Sequence, residues 1–240
     1  MTALLEVDGL SRSFGAVQAL RDASLRVEPG SITALIGPNG SGKTTLFNVV
    51  TGYLKADAGR VRFDGHDVTG AKPAHLYRRG LCRTFQQARV FSELTVLENL
   101  VVAGGFPLLR RRIARSDRTK AGALLDEFKL TQVADLYAAE LSYGQRKLLE
   151  FAAVLMSEPK LVLLDEPTAG VNPLLIETMA KHIGARHAAG VTFLIVEHDM
   201  NFVMRLCDPV VVLDQGQEIC VGPPHVVQDD PAVLDAYLGA

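Results

Sequence analysis

An α/β fold with a mostly parallel sheet around a phosphate-binding loop is predicted by three features of this sequence. The first is Gly37-Pro38-Asn39-Gly40-Ser41-Gly42-Lys43-Thr44, which places Gly37, Gly42, Lys43 and Thr44 at the fixed positions of the P-loop pattern. The second is its setting. Residues 31–36 read as a short buried strand leading in, and residues 43–54 as a helix leading out, with Leu46, Val49, Val50 and Tyr53 on one face. The third is Leu161-Val162-Leu163-Leu164-Asp165-Glu166-Pro167, an apolar run of strand length that ends in two acids. Such a run suits a parallel strand buried on both faces.

Each P-loop residue type has a physical purpose. Glycines let main-chain N–H groups close on phosphate oxygens, and the following helix N-terminus adds partial positive charge. Lys43 is placed to reach the β- and γ-phosphates, and the Thr44 hydroxyl to hold Mg²⁺. The bland alternative is a strand–turn–helix corner without a ligand. Asp165 is placed to hold Mg²⁺ through water. Glu166, one residue on and turned elsewhere, is placed to polarise an attacking water as general base.

A length of 240 residues suits one large domain or a domain with a lobe. The net charge of −2 gives no general attraction to nucleic acid or anionic membrane. Cys82, Cys207 and Cys220 are odd in number and form no C-x-x-C pair, which argues against a disulfide framework or zinc site and suits a reducing cytosol. The first eight residues lack the basic and apolar regions of a secretion signal. No apolar run approaches the ~20 residues needed to span a bilayer, so in any membrane process another chain is expected to cross.

In chain order, residues 4–30 read as antiparallel strands, with alternation over 23–28 and a stop at Pro29-Gly30. Phe14 is either a core or edge residue or a platform for a nucleotide base. Residues 59–65 alternate again and close on Asp64-Gly65, and a short helix is predicted over 72–80. Gln86 is either a solvated loop residue or part of the site. Residues 87–140 read mostly as helix, with Ser92 or Thr95 as a cap. The basic cluster Arg110, Arg111, Arg112, Arg115 and Arg118 is either a solvated face or a contact for an acidic partner or lipid headgroups.

Ser142-Tyr143-Gly144-Gln145 opens a periodic helix with Leu148, Leu149, Ala152, Leu155 and Met156 as its stripe. Ser142 is either only the N-cap or part of an anion site. Asn172-Pro173 starts the next helix, and Gly190 ends it. Residues 191–196 are a further buried strand. His198 just beyond is either a structural strand-end histidine or a donor to the γ-phosphate. A hairpin around Gln215-Gly216 and a short helix over 230–238 complete the chain.

Together these motifs resemble, over essentially the whole length, the ATP-binding subunit of an ABC transporter. The resemblance implies a P-loop NTPase core (residues 1–86 and 160–240) with an N-terminal antiparallel β subdomain, and a helical subdomain over 87–159, all within one ABC ATPase domain. It implies that Phe14 stacks on adenine, and that Gly37 to Thr44 with Thr45 binds the phosphates of ATP. Gln86 would join the Mg²⁺ and γ-phosphate site to the membrane subunits. Ser142, Gly144 and Gln145 would meet the ATP held by an opposite subunit, Asp165 and Glu166 would be the Walker B pair, and His198 the switch histidine. Two positions depart from the family pattern: Tyr143 replaces a signature glycine, and Asn172 replaces an aspartate that makes a cross-dimer contact.

Residues 83–86, Tyr143, Glu197-His198-Asp199-Met200 and the tail 236–239 are similar to ATPases of branched-chain amino acid importers. Urea importers share much of this, and a soluble non-transport ABC ATPase is a remoter alternative. The implied partners are a second copy or a paralogous ATPase, two integral membrane permease subunits and, indirectly, a substrate-binding protein. No nucleic acid is implied. The implied location is the cytoplasmic face of the cell membrane, held there through the membrane subunits.

Overall fold

The structure is a computed structural model, and it describes residues 2–105 and 115–238. The first strands are β1 (Leu5–Phe14), β2 (Val17–Val27) and β3 (Ile32–Ile36), followed by α1 (Lys43–Val50). Then come β4 (Ala58–Phe63), β5 (His66–Asp67), α2 (Pro73–Arg78) and β6 (Leu81–Arg83). Helices α3 (Val96–Ala103), α4 (Arg115–Glu127) and α5 (Tyr143–Leu155) precede β7 (Leu161–Asp165). The chain continues through α6 (Pro173–Ala188), β8 (Thr192–Val196), α7 (Met200–Leu206), β9 (Val210–Asp214) and β10 (Gln217–Gly222). It closes with α8 (Pro224–Gln228) and α9 (Pro231–Leu238).

Two sheets form. One has the order β2-β1-β4-β5 and is antiparallel, and the other has the order β10-β9-β3-β8-β7-β6. All pairs of the larger sheet are parallel except β9 with β10. Every residue of β3, β7 and β8 is buried, as strands covered on both faces require. Alternation divides them between two cores. Ile32, Ala34, Ile36, Val162, Leu164, Phe193 and Ile195 join the core formed with α3 to α6. Leu35, Leu161, Leu163, Leu194 and Val196 join the core formed with α1 and the antiparallel sheet. Sealing each large aliphatic side chain here contributes about 1.5–3 kcal/mol relative to exposure.

The strand order positions everything that follows. β3, β8, β7 and β6 are neighbours, so their carboxyl ends share one rim. The P-loop leaves β3, His198 follows β8, Asp165 and Glu166 end β7, and Gln86 follows β6. Among the described residues, no helix is long and apolar enough to cross a membrane.

Several local expectations are corrected. α1 stops at Val50, so Tyr53 leaves the buried face, half-exposed with its ring edge-on to Phe85. Within 87–140 the described α-helix is confined to α3 and α4. Residues 87–95 are irregular because Asn99 satisfies them from the side: it accepts from the Phe91 N–H and donates to the carbonyls of Phe91, Leu94 and Thr95. Thr95, rather than Ser92, caps α3 in a reciprocal capping box with Glu98. Residues 110–112 of the basic cluster lie outside the described residues, while Arg115 and Arg118 are exposed on α4.

Candidate functional site: a phosphate-binding rim on the parallel sheet

The P-loop conformation depends on glycine where its backbone meets neighbouring strands. At Gly37 (φ 148°) a Cβ would lie 2.0 Å from the Leu213 carbonyl oxygen. At Gly42 (φ 103°), the N-cap of α1, it would lie 2.5 Å from the Ala19 carbonyl oxygen. A side chain at either position would force the loop out of shape. Lys43 is buried and folded back on the loop, donating to the carbonyls of Gly37 (2.8 Å) and Pro38 (2.9 Å) and to Ser41 Oγ (3.3 Å). Burial pulls its ammonium below the ordinary lysine range, while the charge of Glu166 opposes that shift.

Glu166 is the junction of the rim. Its Oε2 accepts from Gln86 Nε2 at 2.7 Å, and its Oε1 lies 2.9 Å from His198 Nε2. Its backbone is left-handed (φ 47°), which turns the side chain away from the line set by Asp165. Such a conformation costs a non-glycine residue of order 1–3 kcal/mol and is held only by surrounding structure. Here the Glu166 N–H donates to the Val196 carbonyl. Buried Glu197 braces the neighbouring turn by accepting from the N–H groups of Thr168 and His198. Asn39, Gly40, Gly42, Lys43, Thr44, Thr45, Glu166 and His198 line one cleft of about 190 Å³.

A second cleft, about 570 Å³, is lined by Thr44, Asn48, Arg83, Gln86 and Asp165 among others. Thr44 therefore borders both. The Thr44 hydroxyl, the Gln86 side-chain carbonyl and the Asp165 carboxylate are hard oxygen donors, a set that fits Mg²⁺ better than a thiophilic metal. Sequence reasoning noted Arg83 only within the segment 83–86 and gave it no role in the site. It donates to Asp165 Oδ2 at 2.6 Å and to Asn48 Oδ1 at 2.7 Å, and so fixes the carboxylate in the cleft that both line. No local pattern marks an arginine at the end of a three-residue strand.

Two groups of predicted residues are not brought to this rim within the chain. Phe14 is 45% exposed at the tip of β1, with the Arg12 guanidinium 4.9 Å from its ring, and it does not line the clefts. Ser142, Gly144 and Gln145 are at the N-terminus of α5, also outside both clefts. Ser142 Oγ accepts from the Gln145 N–H, and Gln145 Oε1 accepts from the Ser142 N–H. The Gln145 side chain is thus engaged in the cap. Gly144 faces Leu175, where a Cβ would lie 2.8 Å from Cδ2. Tyr143, the departure from the family pattern, donates to the Ala169 carbonyl at 3.2 Å. Asn172, the other departure, caps α6 by accepting from the Leu175 N–H.

The sequence matches the ABC transporter family over residues 20–169, and a family described as branched-chain amino acid ATP-binding cassette transporter over residues 217–240. It is similar to the high-affinity branched-chain amino acid transport ATP-binding protein BraF of Pseudomonas aeruginosa, at 39% identity over 98% of each chain. The probable branched-chain amino acid transport ATP-binding protein LivG of Methanocaldococcus jannaschii is 41% identical, over 98% of this chain and 97% of its own. A solved structure of the ADP conformation of an ATP-binding cassette of an ABC transporter matches the fold with a TM-score of 0.89, at 40% identity over 100% of both chains.

Proposed function

This chain belongs to the ABC transporter family of ATP-binding proteins, and we propose that it is the ATP-hydrolysing subunit that energises import of branched-chain amino acids. The observation that carries the reading is the convergence on one rim of a P-loop with the Asp165-Glu166 pair, with Glu166 bonded to both Gln86 and His198. A triphosphate placed in the loop meets main-chain N–H groups of the loop and the α1 N-terminus. Lys43 exchanges its bonds to the loop carbonyls for phosphate oxygens, and the anion offsets the cost of burying its charge.

Glu166 keeps a second lone pair on each carboxylate oxygen for an attacking water, and so acts as general base. His198 supplies a hydrogen bond beside the γ-phosphate. Thr44, Gln86 and Asp165 would hold Mg²⁺, which when bound neutralises charge on the β- and γ-phosphates. In this reading two ATPase units, copies or paralogues, close head to tail. Ser142 and Gly144 of each unit then meet the ATP of the other, and the closed pair drives two membrane subunits.

Phe14 is the base platform in this reading, exposed because its partner is a ligand. Phe14→Ala is expected to weaken ATP binding by the ~1–3 kcal/mol of a base–aromatic stack and to leave tripolyphosphate binding unchanged. Calorimetric titration with both ligands checks it, and equal losses would remove Phe14 from the adenine site.

The substrate reading rests on the relatives and on the carboxyl-terminal family match. Deleting this chain's gene is expected to impair uptake of radiolabelled leucine, isoleucine or valine in its source cell, with restoration by the intact gene and not by a Glu166→Gln version. Unchanged amino acid uptake alongside lost urea uptake would transfer the assignment to a urea importer.

A further inference from the structure

We propose that Lys147 and Glu150 are positioning residues that lock the loop carrying Gln86 onto α5, so that Gln86 and Ser142 move as one piece. The consequence for ATP use rests on the reading of Gln86 and Ser142 given above, but the lock itself stands on geometry. Both side chains are almost fully buried, Lys147 at 3% and Glu150 at 5% exposure. Three residues apart, they share one face of α5, and both reach main-chain groups of the same loop. Glu150 Oε1 accepts from the N–H groups of Phe85 and Arg89, each at 3.1 Å. Lys147 Nζ donates to the Gln86 carbonyl at 2.6 Å and, more weakly, to the Phe85 carbonyl at 3.5 Å.

Residues 85–89 have no helix or strand partners, so the pairing of their main-chain groups comes from side chains such as these, in part-buried bonds. Placing a lysine and a glutamate here is expensive. Burial pushes the Glu150 carboxyl up to about 7, against the downward pull of the two N–H groups and of Lys147 and Arg89. An apolar contact would fill the space more cheaply but would leave the loop's N–H and C=O groups unpaired.

The same helix has a further attachment. At its first residue, the Tyr143 hydroxyl holds the Ala169 carbonyl, three residues past Glu166. The loop is also braced by Phe85, whose ring centroid lies 5.0 Å from the Arg83 guanidinium and 3.8 Å from that of Arg89. A displacement of Gln86 at the Glu166 carboxylate is therefore passed through the loop backbone to Lys147 and Glu150, and along a rigid helix to Ser142.

The test is amide hydrogen exchange on the full chain, with and without MgATP, together with ATP affinity measured by titration. Without nucleotide, Glu150→Ala is expected to speed exchange at Phe85 and Arg89 by roughly ten-fold or more, the worth of a buried hydrogen bond. Glu150→Gln is expected to restore protection, because its amide carbonyl still accepts from both N–H groups. With MgATP, the wild type is expected to change exchange at 141–147 in parallel with 85–89. Glu150→Ala and Lys147→Met are each expected to lose the response at 141–147 while ATP affinity stays within about three-fold, as Lys147→Met keeps the packing of the stem.

Unchanged exchange at Phe85 and Arg89 in Glu150→Ala would overturn the lock, as would an undiminished response at 141–147 in the variants or no response there in the wild type. A fall in ATP affinity matching the loss of response would reduce both residues to structural support. Should Glu150→Ala fail to fold, Lys147→Met against Glu150→Gln decides the same question. A wild type that binds no ATP would refute the proposed function, whereas the nucleotide-free comparison judges the lock by itself.

Discussion

A Glu166→Gln chain is expected to bind ATP, to hydrolyse it at least ~100-fold more slowly than the wild type, and to accumulate as an ATP-bound dimer. The carboxylate accepts from Gln86 on one oxygen and faces His198 on the other, and glutamine has the same shape with one acceptor in place of two. ATP affinity is retained because the loop, Lys43 and the α1 N-terminus are untouched. What the substitution removes is the carboxylate that, in the proposed mechanism, takes a proton from water. Single-turnover hydrolysis, and size-exclusion chromatography with light scattering in saturating MgATP, read the two effects separately. A wild-type rate would refute the assignment of Glu166 as base.

The dimer has its own control in Ser142→Asp, added to Glu166→Gln. Aspartate keeps the N-cap that Ser142 provides to α5, so the helix survives. Its negative charge would face the opposite unit's phosphates, and the dimer is expected to be lost. A dimer that persists in the double variant would show that this helix end does not meet phosphate.

The second large effect is expected at Lys43. Lys43→Ala should weaken MgATP binding by about 10- to 150-fold, the range corresponding to one charged hydrogen bond of ~1.5–3 kcal/mol, and should abolish measurable turnover. In the nucleotide-free chain this ammonium also ties the loop together through Gly37, Pro38 and Ser41. Part of the loss will therefore come from loosening the loop. A thermal melt without nucleotide measures that part, since a shift in the apo melt reports on the loop and the remaining affinity loss on phosphate. Unchanged affinity together with unchanged turnover would remove Lys43 from the site.

The sequence alone determined the features that depend on near neighbours. The P-loop pattern is read within eight residues, and the buried strands β3, β7 and β8 announce themselves as short apolar runs. The caps at Ser142 and Asn172 depend on residues three positions away. α7 and α8, of seven and five residues, were not read from the sequence.

Tertiary structure decided what depends on strand order. Gln86 and Glu166 are 80 positions apart, and Glu166 and His198 are 32 apart, yet adjacent parallel strands bring their carboxyl ends to one rim. Arg83 against Asp165 and Glu150 against the N–H groups of Phe85 and Arg89 could not be foreseen. Nothing local in a sequence marks an arginine or a glutamate as buried. Its burial is set by which backbone groups the fold leaves unpaired beside it, and only the packed chain decides that.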